Sequence, residues 1–211
     1  LVWDSRKREW QQARNPLHSD KPSRCGVGPG LAFALTLLKK KHYSKRKIGL
    51  VPCAVGGTDI ETWLNERKDE ITGLNPWKEC AFKTKNALSS SSSKADVKLC
   101  AILWHQGESD CTETKSKTYG KHLVDVVRKF RTEFESSSLP FLCGQLGCFE
   151  KKPWNEHYKS VDKSHRMLSK LLPHCAFVSS KGLTSFDGLH FDTRSAKLLG
   201  VRYAHAYHKL E

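Results

Sequence analysis

The sequence predicts an α/β fold built on a parallel sheet with helices on both faces. Short apolar runs of strand length alternate with segments of helical periodicity, which is the signature of βαβ units. Each polar or glycine-bearing motif follows directly on one of those runs, and in parallel sheets ligand sites form at the carboxyl ends of the strands. No internal repeat interrupts the alternation.

Taken in order, residues 1–30 show no periodicity. Trp3, Trp10, the Asn15-Pro16 turn signal and Gly26-Val27-Gly28-Pro29-Gly30 punctuate an irregular stretch. Leu31, Ala34, Leu35 and Leu38 then recur at i, i+3, i+4 and i+7, one apolar helix face. That helix runs into Lys39-Lys40-Lys41, well placed for the negative end of its dipole. Ile48 to Ala54 is a buried-strand candidate ending at Gly56-Gly57-Thr58, and Ile60 to Arg67 and Trp77 to Leu88 are helical candidates. Ser89 to Ser93 is a flexible serine tract.

Val97 to Trp104 is the clearest buried strand, and it runs straight into His105-Gln106-Gly107-Glu108-Ser109-Asp110. Leu123, Val126, Val127, Phe130 and Phe134 mark the strongest amphipathic helix. Pro140 to Cys143 begins another strand, and Tyr158, Val161, His165, Leu168 and Leu172 mark a further helix. Cys175 to Val178 is a strand, Asp187 to His190 a loop, and Ala196, Leu199, Tyr203 and Ala206 a closing helix.

With 211 residues the chain fits one domain with a real core, and its 38% hydrophobic and 27% charged content is that of a folded protein. No run approaches the roughly 18 apolar residues of a membrane span. The net charge of +14 raises the prospect of an acidic partner on a basic surface. The lysines and arginines are scattered, however, without the aromatic interleaving or motif of a nucleic-acid binder. Eight cysteines permit disulfides in an oxidising compartment, and Cys143 and Cys148 could bridge. Cys53, Cys100 and Cys175 lie in or beside apolar runs and read as small buried hydrophobes. No C-x-x-C pair exists, which argues against a structural zinc site. The compartment stays open.

The chemistry concentrates in three places. Asp187-Gly188-Leu189-His190 can bend so that the carboxylate meets the imidazole, fixing its tautomer and stabilising the imidazolium. Gly56-Gly57-Thr58 can present backbone N–H groups to a ligand. Gln106 carries an amide able to donate to a developing oxyanion, and Glu108 could orient Gln106 or His105. Ser109 or Asp110 could instead simply cap the next helix. An Asp-His pair with two sets of neutral donors outlines acyl transfer. No phosphate-binding G-x-x-x-x-G-K-[ST] loop exists. Paired-carboxylate glycoside hydrolysis through Glu108 and Asp187 is conceivable, but the histidine partner speaks against it.

Trp104 to Asp110, with Cys25 to Gly30 and Ile48 to Thr58 upstream and Asp187 to His190 downstream, resembles the SGNH-type carbohydrate esterases. The branch is the sialate O-acetylesterase-like group that includes plant acetylxylan-esterase-like proteins, carbohydrate esterase family six. The resemblance covers nearly the whole chain in the expected order. It implies a three-layer SGNH-hydrolase-like sandwich, with His190 as general base and Asp187 as its orienting partner. Gln106 would be an oxyanion donor, and the backbone N–H of Gly57 or Gly56 a second. The implied reaction removes acetyl from a sugar hydroxyl through an acyl-enzyme, with an acetylated glycan as substrate and neither metal nor organic cofactor.

In one respect the chain departs from that pattern. The family's nucleophilic serine sits in a G-Q-S-N-like turn after the first strand, and no such turn precedes Trp3. Ser5, Ser109 and Ser185 do not match its position. The chain does not open on Met, so the expectation is a single domain over residues 1–211 that is N-terminally incomplete. It would lack its first strand and its nucleophile, and would be inactive as an isolated chain. The alternative is a non-catalytic esterase-like domain that binds glycan or serves as a structural subunit.

Overall fold

The structure is a computed structural model that describes all residues except 19, 20, 22, 24, 91–96, 151 and 152. The end of the serine tract and the Lys151-Lys152 pair fall outside the described residues. Among the described residues three parallel strands form the central sheet: β3 (Ile102–Trp104), β4 (Phe141–Gly144) and β5 (Cys175–Val178), in the order β3-β4-β5. The register pairs Ile102 with Phe141 and Phe141 with Cys175.

Among the described residues six helices surround it: α1 (Gly30–Leu38), α2 (Ile60–Leu64), α3 (Pro76–Leu88), α4 (Lys115–Glu133), α5 (Glu156–Leu171) and α6 (Thr193–His208). Their starts are chemically marked. Asp59, Asn75, Asn155 and Asp192 each accept a backbone N–H from the first turn of α2, α3, α5 and α6, and Pro76 opens α3.

Successive side chains of a strand point to opposite faces, and β4 is buried on both. Phe141 and Cys143 join one apolar cluster with Trp63, Trp77, Trp104, Leu123 and Phe130 under α2–α5. Leu142 joins the other, with Phe33, Leu37, Leu199 and Tyr203 of α1 and α6. The result is helix, sheet, helix, as predicted.

The strands are shorter than the apolar runs that carry them. Of Val97–Trp104 only the last three residues pair, and Cys100 is exposed rather than buried. The Ile102 N–H reaches Pro140 O at 2.9 Å, and a proline has no N–H with which to carry the ladder further back. Within Ile48–Ala54 pairing is confined to Leu50, bridged in parallel to Val2.

Residues 1–11, expected to be irregular, form a hairpin: β1 (Val2–Asp4) against β2 (Glu9–Gln11). Asp4 Oδ1 accepts the N–H groups of Arg6 and Lys7 across the turn, and Trp3 meets Trp10 edge-on at 5.2 Å. Leu50 ties this hairpin down by two further backbone bonds, accepting from Trp3 N–H and donating its own N–H to Leu1 O. The Ile60–Arg67 helix ends at Leu64. Cys143 lies buried in β4 and Cys148 is exposed, and both are free thiols rather than a bridge.

Candidate active site

Asp187 and His190 lie in the loop between β5 and α6. One carboxylate oxygen of Asp187 accepts the N–H groups of Leu189 (2.9 Å) and His190 (2.7 Å), an Asx-type turn. The backbone reaches this turn through Gly188 at φ +83°, a conformation that disfavours any side chain. Gly188 N–H in turn donates to Ser185 Oγ at 3.0 Å, and Ser185 bridges Phe191 across the loop. The loop is thus pinned from inside before α6 starts at its Asp192 cap.

The second oxygen of Asp187 stands 2.6 Å from His190 Nδ1. With the Nδ1 proton held by the carboxylate, Nε2 is the basic nitrogen of the ring. The imidazole and two of the loop's backbone amides hold the Asp187 carboxyl well below the usual carboxylate range. The His190 side chain is 66% exposed, so a solvent-borne ester can reach it.

The motif after β3 is organised differently. The Gln106 amide donates to Thr58 O at 3.1 Å and to the Asp110 carboxylate. The Tyr119 hydroxyl, on α4, lies 3.1 Å from Gln106 Oε1, 3.0 Å from its backbone oxygen and 2.9 Å from His165 Nε2 on α5. A neutral His165 with its proton on Nε2 donates to Tyr119 and leaves the hydroxyl proton for Gln106. Burial keeps that imidazole neutral by pushing its pKa down to about 3.

Asp110 is fully buried and accepts Ile60 N–H at 3.0 Å. Its burial pushes the carboxyl up to about 6, against the pull of its bonds from Gln106 and Ile60. Asp110 therefore does not cap the helix that follows; it accepts the first N–H of α2, whose N-cap is Asp59, across 50 residues.

The glycine loop is tied to this network. Ser109 Oγ donates to Gly57 O at 2.9 Å, and Lys21 Nζ donates to Gly56 O. Thr58 Oγ1 donates to Val55 O and accepts from Trp63 Nε1. Gly57 sits at φ +84°. The Asp187–His190 loop meets the same region through Phe191, whose ring lies 5.6 Å from that of His105.

The structure therefore stitches Gly56, Gly57 and Gln106 together, and brings the segment that carries His190 against the residue preceding Gln106. Glu108 lies 3.9 Å from His105 Nε2, beyond hydrogen-bond reach, while Asp110 and Tyr119 hold Gln106. The polar role of Tyr119 and His165 is hidden in the sequence, where both occupy apolar-face positions of amphipathic helices and His165 reads only as a marker of that face. The only signal was their polarity at those core positions.

A sequence model of the family described as carbohydrate esterase, sialic acid-specific acetylesterase, matches residues 1–209. The chain is similar to the probable carbohydrate esterase At4g34215 of Arabidopsis thaliana, 31% identical over 202 residues, 94% of this chain and 70% of that protein. The X-ray structure of that Arabidopsis protein superposes with a TM-score of 0.82 at 30% identity, covering 99% of this chain and 80% of that one. A carbohydrate acetylesterase from Xanthomonas citri shares the fold with a TM-score of 0.65 at 22% identity, over 90% of this chain and 42% of its own. NanS does so with a TM-score of 0.67 at 18% identity, over 92% and 74%.

Proposed function

From the premise that this chain belongs to the sialic acid-specific acetylesterase family of carbohydrate esterases, we propose that it is the domain of a sugar O-acetylesterase that supplies the base and the oxyanion donors. The observation that carries this reading is the 2.6 Å contact between His190 Nδ1 and Asp187 on an exposed, internally braced loop. A serine hydroxyl, assigned to no residue of this chain, attacks the acetyl carbonyl while His190 Nε2 takes its proton. Asp187 stabilises the imidazolium that results. Collapse of the tetrahedral intermediate returns that proton to the departing sugar hydroxyl. Water, activated by the same imidazole, then releases acetate.

The Gly57 N–H is the direct donor to the oxyanion in this reading, with Gly56 shaping its turn. Both amide hydrogens of Gln106 are engaged, so Gln106 acts first by fixing Thr58 and the glycine turn that precedes it. Direct donation to the oxyanion requires it to release Asp110. The test is hydrolysis of an O-acetylated sugar by the protein that carries this domain, with fluorophosphonate labelling of its nucleophile. Labelling and turnover, both lost in His190→Ala, are the expected result. Turnover that survives His190→Ala removes the base from this assignment, and glycan binding without labelling or turnover replaces the esterase with a binding domain.

A further inference from the structure

A second cluster of chemically able side chains lies at the C-terminal end of α6, outside everything described above. His42 follows α1 in a short 3-10 turn (Lys41–Tyr43), His208 is the last residue of α6, and Glu211 comes three residues later. One ligand atom from each lies within 4.8 Å of the other two. We infer that His42, His208 and Glu211 form a surface site for a divalent transition ion of the zinc class, which fastens the end of α6 to the turn after α1.

The distances suit a ligand set better than the contacts they replace. Glu211 Oε2 stands 3.7 Å from His42 Nε2 and 3.6 Å from His208 Nδ1, both too long for hydrogen bonds. A tetrahedral ion with metal–ligand bonds of roughly 2.0–2.1 Å separates its ligand atoms by about 3.3 Å. Small rotations of exposed side chains close that gap. The other Glu211 oxygen accepts from the Tyr43 hydroxyl, which orients the carboxylate as outer partners of metal ligands do. The two imidazoles are stacked with centroids 5.7 Å apart.

The fold itself brings the three together. A Cβ placed on Gly200 of α6 would stand 2.2 Å from Pro29 O at the start of α1, and farther along Phe33 meets Tyr207 edge-on at 6.0 Å. The two helices therefore run in the same direction, and their C-terminal ends converge on the site. Those ends carry partial negative charge, which favours a cation. Lys39, Lys40, Lys41 and Lys209 lie nearby in sequence and oppose it. An ion held chiefly by charge, such as Ca²⁺ or Mg²⁺, gains little here, whereas two imidazole nitrogens and a carboxylate suit zinc, copper or nickel. At 1.5 Å per residue the 16 residues of α6 put this site about 24 Å along the helix from the Asp187–His190 loop, so its role is structural.

Calorimetric titration of the chain with ZnCl₂ is the test. One equivalent is expected to bind, with affinity falling about tenfold or more in His42→Ala and in His208→Ala, and holding in His190→Ala. X-ray absorption at the zinc edge should show two imidazole nitrogens and a carboxylate oxygen. Absence of binding overturns the site, as does zinc affinity unchanged in the His42→Ala, His208→Ala double variant. Calcium bound as tightly as zinc overturns the choice of ion.

Discussion

Asp187 and His190 meet within four residues of chain and stay open to solvent, whereas Gln106, Asp110, Tyr119 and His165 are drawn from three segments, the last three buried and Gln106 half-buried. Each region contains an aspartate bonded to backbone N–H (two for Asp187, one for Asp110) and to a polar side chain, yet the two carboxyls shift in opposite directions. At Asp187, with little burial to oppose them, the imidazole and amides hold the carboxyl low. At Asp110 loss of water outweighs the bonds from Gln106 and Ile60, and the carboxyl rises to about 6. Bonding pattern alone does not set the charge state; access to water decides it. The exposed pair is fit to exchange protons with a substrate, and the buried network is fit to hold a loop still.

The contrast is sharpest in the effect of removing one member from each region. In the protein that carries this domain, His190→Ala should lower acetyl-ester hydrolysis by about 10²–10⁴-fold with little change in Tm, because the ring is mostly in water. Asp110→Ala should do the reverse and act first on stability. It orphans the Ile60 N–H and one Gln106 hydrogen, a loss of about 2–4 kcal/mol that denaturant unfolding would read directly. A stability unchanged by Asp110→Ala would erase the distinction between the regions.

Asp110 also gives the buried region its own pH signature. The folded chain holds its proton more tightly than the unfolded chain does. Its contribution to stability is therefore fully present below about pH 4 and is lost as pH rises through about 6. Wild type minus Asp110→Asn should thus be larger at pH 4 than at pH 7 by roughly 2–3 kcal/mol, and a flat difference would mean that Asp110 does not sense its burial. The smallest effect is expected from Tyr119→Phe. It removes one hydroxyl between Gln106 and His165 and should cost about 1–2 kcal/mol, with only a modest fall in turnover.

These two regions were not equally legible. The Asp187–His190 contact spans three positions and is closed by a glycine, so local geometry suffices to foresee it. The role of Asp110 depends on Ile60, fifty residues away, and that of His165 on Tyr119 across two helices. Nothing in the local pattern of W-H-Q-G-E-S-D says whether its last residue bonds to the next helix or to an earlier one. The same holds for Glu108, which local spacing offered as a partner for either Gln106 or His105, and which stands on the His105 side at 3.9 Å.

By itself the sequence determined the alternation of helices and parallel strands, the buried faces of α4 and α5 and the Asp-His pair, because each rests on periodicity or on neighbours within one turn. For α1 the periodicity pointed to Leu35, which is exposed, whereas the packing against α6 buries Phe33, Ala34 and Leu37. Only the tertiary structure decided where the strands stop, that residues 1–11 form a hairpin, which aspartate is buried, and that His42, His208 and Glu211 converge. Those outcomes depend on what lies across the gap: a proline without an N–H opposite β3, a tryptophan opposite Trp3, and the parallel packing of α1 on α6. Such partners are chosen by the packing of distant segments, where the local pattern carries no record of them.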